Sequence, residues 1–469
     1  MAPWLIAAAG LLAAATVGVA LVRDVPLGLA LVAAFAFVPL VLLGLPVALA
    51  AWIPVAWNEF SHVVGKAPLA GLLLLLVAWI GTRRVRGAAV ASEPSARIAR
   101  NALVLALVWV TLSISWASGR PGAWEDAIQW YLAGATFLLV TTIATTPARV
   151  RLIVAAFIAG ALASIVIGLT GSGLSTTATS LDLATRQRFS GGAGDPNYLA
   201  AGLIAAIALA AGLLSSARDP LAKLAVIATM FGLAVAVVAT ESRGGLIAAL
   251  MATVAAMLLA RERRVQTAAL GILAIAGMTM FLLLSPAGSQ RIATFDAGGT
   301  GRTELWLVAT RMASDHPVAG VGVGGFEQEA RHYVLQPGSL TVVDLLVAAK
   351  PAVAHNVYLQ QLAETGVVGL LALLAVFGAC LAASQVAVGR FRSSGDRAMA
   401  TLAGATTVAM IGMLTASVFI SNSTDKRLWI VLALGPALLA AAGPPARTQL
   451  SLTAPSGTAR PSAPPSARP

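Results

Sequence analysis

Residues 361–385 read QLAETGVVGLLALLAVFGACLAASQ, 25 positions with a single charged side chain, Glu364. A helix of about 20 apolar residues crosses the roughly 30 Å hydrocarbon core of a bilayer. A membrane β-strand would be about ten residues of alternating polarity, so a continuous run of this length reads as a transmembrane helix. Comparable runs lie at 4–22, 27–50, 67–81, 101–116, 124–144, 149–170, 198–214, 221–239, 243–260, 266–285, 397–420 and 427–442. Ala, Leu, Val, Ile and Gly dominate them, and small residues let helix backbones approach closely in lipid. The fold class that follows is all-α: a polytopic integral membrane protein with about 12–14 transmembrane helices and one long extracytoplasmic loop. Pro39, Pro46 and Pro54 interrupt the stretch 27–57, which reads as one kinked helix or two. The first run lacks a basic leader and a cleavage site, so it reads as an anchor.

Bulk composition agrees. Of 469 residues, 58% are hydrophobic and 11% charged, and the mean hydropathy is +0.86. A soluble chain averages about 25% charged residues. These values exclude a cytosolic enzyme, a secreted module and a disordered scaffold. The net charge of +12 would suggest nucleic acid in a soluble protein. In a membrane protein it reads as the excess of Lys and Arg on cytoplasmic loops, and no nucleic-acid partner is expected. A single cysteine, Cys380, allows no disulfide framework.

The charges orient the chain. Loops 23–26, 82–100, 145–151, 215–223, 261–266 and 388–397, together with the C-terminal tail, hold 19 Lys/Arg and five acids. The remaining 12 Lys/Arg and 14 acids fall on the other, extracytoplasmic side. Four regions follow: transmembrane helices over 1–284, a large extracytoplasmic loop over 285–358, transmembrane helices over 359–442, and a disordered cytoplasmic tail over 443–469. Within the loop, Leu305, Trp306, Ala309 and Met312 recur at helical spacing, which predicts an amphipathic helix able to lie on the membrane surface.

Arginines on the outer side carry the chemistry. Arg186, Arg188, Arg243, Arg302 and Arg311 stand where the orientation rule would thin them out. A guanidinium fork suits phosphate or diphosphate oxygens. The structural alternative pairs these arginines with Asp182, Asp195, Glu241 or Glu304. Asp195 or Asn197 can cap the helix opened by Pro196. The glycines of 191–194 suit either a close ligand or a turn. Gly320-Val321-Gly322-Val323-Gly324-Gly325 lacks the βαβ setting of a dinucleotide site and reads as a glycine-rich turn. The histidines are His62, His316, His332 and His355. Their spacing does not suggest zinc. His355, just ahead of a membrane helix, is the best general-base candidate, with capping or packing as its alternative.

Four stretches occur in order: Ser242-Arg243-Gly244-Gly245; Gly301-Arg302-Thr303-Glu304-Leu305-Trp306; Asp315-His316-Pro317-Val318-Ala319-Gly320-Val321-Gly322; and Ala354-His355-Asn356-Val357-Tyr358-Leu359-Gln360, running on to Ala363-Glu364-Thr365-Gly366. Over about residues 180–380 this set resembles the O-antigen ligase and O-antigen polymerase superfamily. The resemblance implies a GT-C-like membrane enzyme of the plasma (inner) membrane. Such enzymes transfer a glycan from an undecaprenyl-diphosphate-linked donor to a glycan or lipid acceptor on the extracytoplasmic face. It implies no metal and no cofactor. By motif, Arg243 and Arg302 correspond to diphosphate-contacting arginines and His355 to the essential histidine. Arg188 occupies a matching outer-loop position, and Arg311 with Gly322 fits an Arg-x₁₀-Gly pattern. Glu304 is a reserve base or an orienting partner for an arginine. A transporter or flippase of lipid-linked oligosaccharides is the alternative, and it would want mid-span charges and matching broken helices. A non-catalytic membrane assembly component is a further one.

Overall fold

A computed structural model describes residues 37–59, 66–86, 94–172, 174–177, 186–259, 302–335 and 353–444, with isolated positions 16, 18, 19, 32 and 35. Most of the expected span 4–22, together with span 266–285, His62, Asp182 and the tail from 445, lies outside the described residues. The helices are α1 (Leu45–Trp57), α2 (Ala67–Arg86), α3 (Pro94–Ser113), α4 (Arg120–Ile143), α5 (Pro147–Ile167), α6 (Pro196–Leu214), α7 (Pro220–Ala239), α8 (Arg243–Leu259), α9 (Arg302–Asp315), α10 (Gly325–Val334), α11 (Val357–Ser393), α12 (Arg397–Ala416) and α13 (Lys426–Ala442). Between α5 and α6 a short antiparallel hairpin pairs β1 (Leu174–Thr177) with β2 (Arg186–Phe189). The protein is an all-α polytopic membrane protein.

The same local chemistry starts helix after helix. Asp195 Oδ1 accepts the backbone N–H groups of Asn197 and Tyr198, and Pro196 follows it. Thr146 with Pro147 and Asp219 with Pro220 repeat the pattern, and Asp396 and Asp425 cap α12 and α13. Each cap contributes about 1 kcal/mol. The 27–57 stretch breaks at Gly44, whose φ of 137° separates a helical run at 37–43 from α1. Over 37–57 the chain is therefore two helices, not one with a kink.

Among the described residues, five helices are long and apolar enough to cross a membrane: Pro147–Thr170, Pro196–Leu214, Pro220–Ala239, Val357–Ser393 and Arg397–Ala416. One side of α7 exposes Leu221, Leu224, Ile227, Phe231 and Val235. Such a stripe suits lipid and would be costly against water. By contrast, α13 is buried from Lys426 to Leu439 and is the central pillar. Trp429 meets Phe137 and Trp130 edge-on there, at 6.0 and 6.1 Å. Gly435 lets α13 approach α11 closely, since a Cβ would fall 2.3 Å from the Cys380 carbonyl oxygen. Cys380 is a buried packing residue.

Hydrogen bonds gather the described helix ends into two groups. At one end Tyr198 Oη donates to the Ser421 carbonyl and Arg188 to that of Thr240. At the other, Ser215 Oγ meets the Ala398 carbonyl and Arg390 donates to that of Gly443. These are called the arginine end and the opposite end below.

Candidate functional site

Helix α9 opens the loop with Arg302 and buries Leu305, Val308, Ala309 and Met312. They pack with Phe326 and Tyr333 of α10 and with Ala354 and Ala363. The expectation that this face lies on the membrane surface is thus corrected. Apolar periodicity says that a face must be covered, and here protein covers it.

The glycine-rich turn after α9 acts as a staple. Val321 N–H donates to the Ala363 carbonyl at 2.9 Å, Gly322 N–H to that of Glu364 at 2.7 Å, and Val367 N–H to that of Pro317 at 2.9 Å. The two chains fit because each carries glycine in the left-handed region, Gly320 and Gly366 both at φ 67°. A Cβ at Gly366 would lie 2.1 Å from the Val318 carbonyl oxygen. Buried Glu364 accepts the N–H groups of Gly324 and Phe326 at the start of α10. Two stretches quoted above for their family resemblance therefore dock on one another, and the docking fixes α9 and His355 on the head of α11.

His355 stands at φ 50° directly before Asn356, whose Oδ1 accepts the N–H groups of Tyr358 and Leu359. Glu241, at φ 49°, stands next to Ser242, whose Oγ accepts the Gly245 N–H. Among the described residues these are the two non-glycine positions with positive φ. Such conformations cost about 1–3 kcal/mol and persist where surroundings over-determine them. Ser242 Oγ also donates to Asn197 Oδ1 at 2.8 Å, which ties the head of α8 to that of α6. Heads of α6, α8, α11 and α13 thus meet at the arginine end, and helix N-termini favour an anion.

Burial pushes the His355 imidazole below its ordinary pKa of 6.5, and Arg302 nearby lowers it further, while Asp195 pulls it upward. The charges of Arg302 and Asp195 thus both reach His355, and burial favours the neutral form of the ring. Trp306, one turn after Arg302 and on its face of α9, lies 6.5 Å from Phe419. Phe419 in turn packs against Gly244, beside Arg243.

The other expected residues are placed differently. Arg188 is buried, and its Nε and Nη2 donate to the Thr240 carbonyl at 3.1 and 2.7 Å. It braces the turn that presents Glu241 and Arg243. Arg311 donates to the Tyr333 carbonyl at 2.9 Å, in the last turn of α10. Nine residues beyond Arg302, it lies about 13.5 Å along the helix and on the opposite side. Glu304 accepts the Thr303 hydroxyl at 2.9 Å, and its side chain points away from the Arg302 face. Asp195, not Asn197, is the cap, and the turn reading of Gly191–Ala193 fits. Gly192 N–H donates to Ser164 Oγ, and a Cβ on Gly192 would meet Asn58 Oδ1 at 2.0 Å. His316 and His332 are exposed. Among the described residues no group of three His, Cys, Asp or Glu is placed to hold a metal.

Residues 226–374 match the family model described as O-Antigen ligase. This segment is similar to the O-antigen ligase family. The O-antigen ligase match takes in Arg243, Arg302, Arg311 and His355, while Arg188 lies before it. No curated protein matches the chain. A solved structure described as "Structural coordination of polymerization and crosslinking by a peptidoglycan synthase complex" aligns at 14% identity with a TM-score of 0.40, over 75% of this chain and 98% of that chain.

One part of this end has no counterpart in the sequence reading. Lys426 pairs with Glu59, and Arg427 chelates Asp425 through Nε and Nη2 at 2.6–3.0 Å. Arg427 is 1% exposed, with Trp57 and Tyr198 rings 5.2 and 5.9 Å from its guanidinium carbon. Burial pushes the Glu59 carboxyl upward, and Lys426 opposes it. The available signal was the run Asp425-Lys426-Arg427 opening an apolar helix, where unpaired charge is costly.

Proposed function

We propose that this chain is a membrane glycosyltransferase that works at the arginine end, on the extracytoplasmic face. Its donor is a glycan on undecaprenyl diphosphate and its acceptor a saccharide or lipid. The observation that supports this most is the strained, partly buried His355 at the head of α11, within reach of the charges of Arg302 and Asp195 and inside the segment that matches the O-antigen ligase family. His355 takes the proton of the acceptor hydroxyl as that oxygen bonds to the anomeric carbon, a contribution of about 10²–10⁴-fold. The bond from the anomeric carbon to the diphosphate breaks, and undecaprenyl diphosphate leaves with the electron pair. Arg302 and Arg243, with the helix heads around them, stabilise the charge that develops there. Trp306 and Phe419 offer an apolar wall for a sugar face or the first isoprene unit. Arg188 and Arg311 serve as positioning residues, and Glu304 is a reserve acid–base group.

The test is incubation of purified protein with an undecaprenyl-diphosphate glycan and candidate acceptors. Transfer with release of undecaprenyl diphosphate is expected. Products growing by repeat units mark a polymerase, and a single capped acceptor marks a ligase. Movement of intact donor across vesicles without bond cleavage would overturn the reading in favour of a flippase.

A further inference from the structure

Helices α2, α3 and α4 leave an apolar cavity of about 140 Å³ whose lining includes Leu76, Trp79, Leu107, Tyr131, Gly134 and Ala135. Gly134 keeps it open, because a Cβ there would lie 2.9 Å from Leu107 Cδ1. The lining's polar groups already have partners. Trp79 Nε1 donates to Thr142 Oγ1 at 2.9 Å, and the Tyr131 and Thr111 hydroxyls meet at 2.8 Å. The slot therefore presents hydrocarbon and asks for hydrocarbon.

Its mouth toward the opposite end is basic. One turn beyond Trp79, Arg83 lays its guanidinium over the indole, 4.0 Å from the ring centroid. Arg100 of α3 is close enough for its charge to act on Arg83. Among the described residues neither arginine has a carboxylate partner. Two like charges that act on one another beside an apolar slot repel, and an anion between them relieves that repulsion. Guanidinium forks match phosphate oxygens, and basic pockets between helices at the cytoplasmic side attract anionic headgroups.

We infer that this slot binds an anionic glycerophospholipid, with one acyl chain along Trp79 and Leu107 and the phosphate between Arg83 and Arg100. A zwitterionic lipid fills the slot equally well but brings its own cation to the two arginines, so charge sets the selectivity.

The test is native mass spectrometry of the full chain in detergent micelles with equal amounts of phosphatidylglycerol or phosphatidylcholine. Phosphatidylglycerol is expected to be retained about five-fold or more over phosphatidylcholine. The double variant R83Q/R100Q is expected to lose that preference. Ala135→Phe fills the slot and is expected to lower retention of both lipids, with Arg83 and Arg100 untouched. If the double variant does not fold, Arg100→Gln alone carries the test, with at least half of the preference lost. Equal retention of the two lipids would overturn the inference. So would an unchanged preference in the arginine variants, or loss of phosphatidylglycerol to inorganic phosphate with no effect of Ala135→Phe.

Discussion

The two ends of the bundle use charge in different ways. At the opposite end, Arg149, Arg218, Lys223, Arg392 and Arg397 are exposed around plain capped helix starts. At the arginine end, Arg188, Lys426 and Arg427 are buried, and both positive-φ non-glycine residues stand among them. Exposed cations act by number, as orientation requires, and each is replaceable. Buried ones act by position, because a charge removed from water must meet a particular partner.

The largest expected effect of a substitution is on chemistry at the arginine end. His355→Ala should lower glycan transfer by about 10²-fold or more, measured on purified protein with its helical content unchanged. Next comes the buried pair. Asp425→Asn leaves Arg427 without its carboxylate and should cost about 3–5 kcal/mol, read from thermal unfolding in detergent. Arg302→Lys keeps the charge but loses the fork, so donor use should fall roughly ten- to hundred-fold in kcat/KM. At the opposite end, Arg218→Gln should change stability by less than about 0.5 kcal/mol and leave transfer unaltered. A large loss from Arg218→Gln, or none from Asp425→Asn, would erase the distinction between the ends.

The contrast also explains what the sequence discloses. Spans are legible because lipid imposes one rule over 20 residues, and every run within the described residues proved helical. As candidates, Arg302 stands out because the orientation rule thins arginine on that side, and His355 because it directly precedes a membrane helix. The partner of Lys426 is not legible, since Glu59 stands 367 positions away. Nor is the cover of α9, because a helical apolar face reads alike whether lipid or α11 meets it. Arg188 and Arg311 show the same limit in a functional guise. An arginine near a site looks the same in sequence whether its fork grips a ligand or a backbone carbonyl.

Across all of this, the central claim is that His355 is held neutral beside Arg302 and acts as the base. The pH profile of glycan transfer tests it most directly. A lowered pKa keeps the base form as the medium turns acidic, so the midpoint of the acid limb of transfer should lie below pH 6.5. The residual transfer of His355→Ala should lack this acid limb. An acid limb with its midpoint above pH 6.5, or the same limb in His355→Ala, would contradict the account.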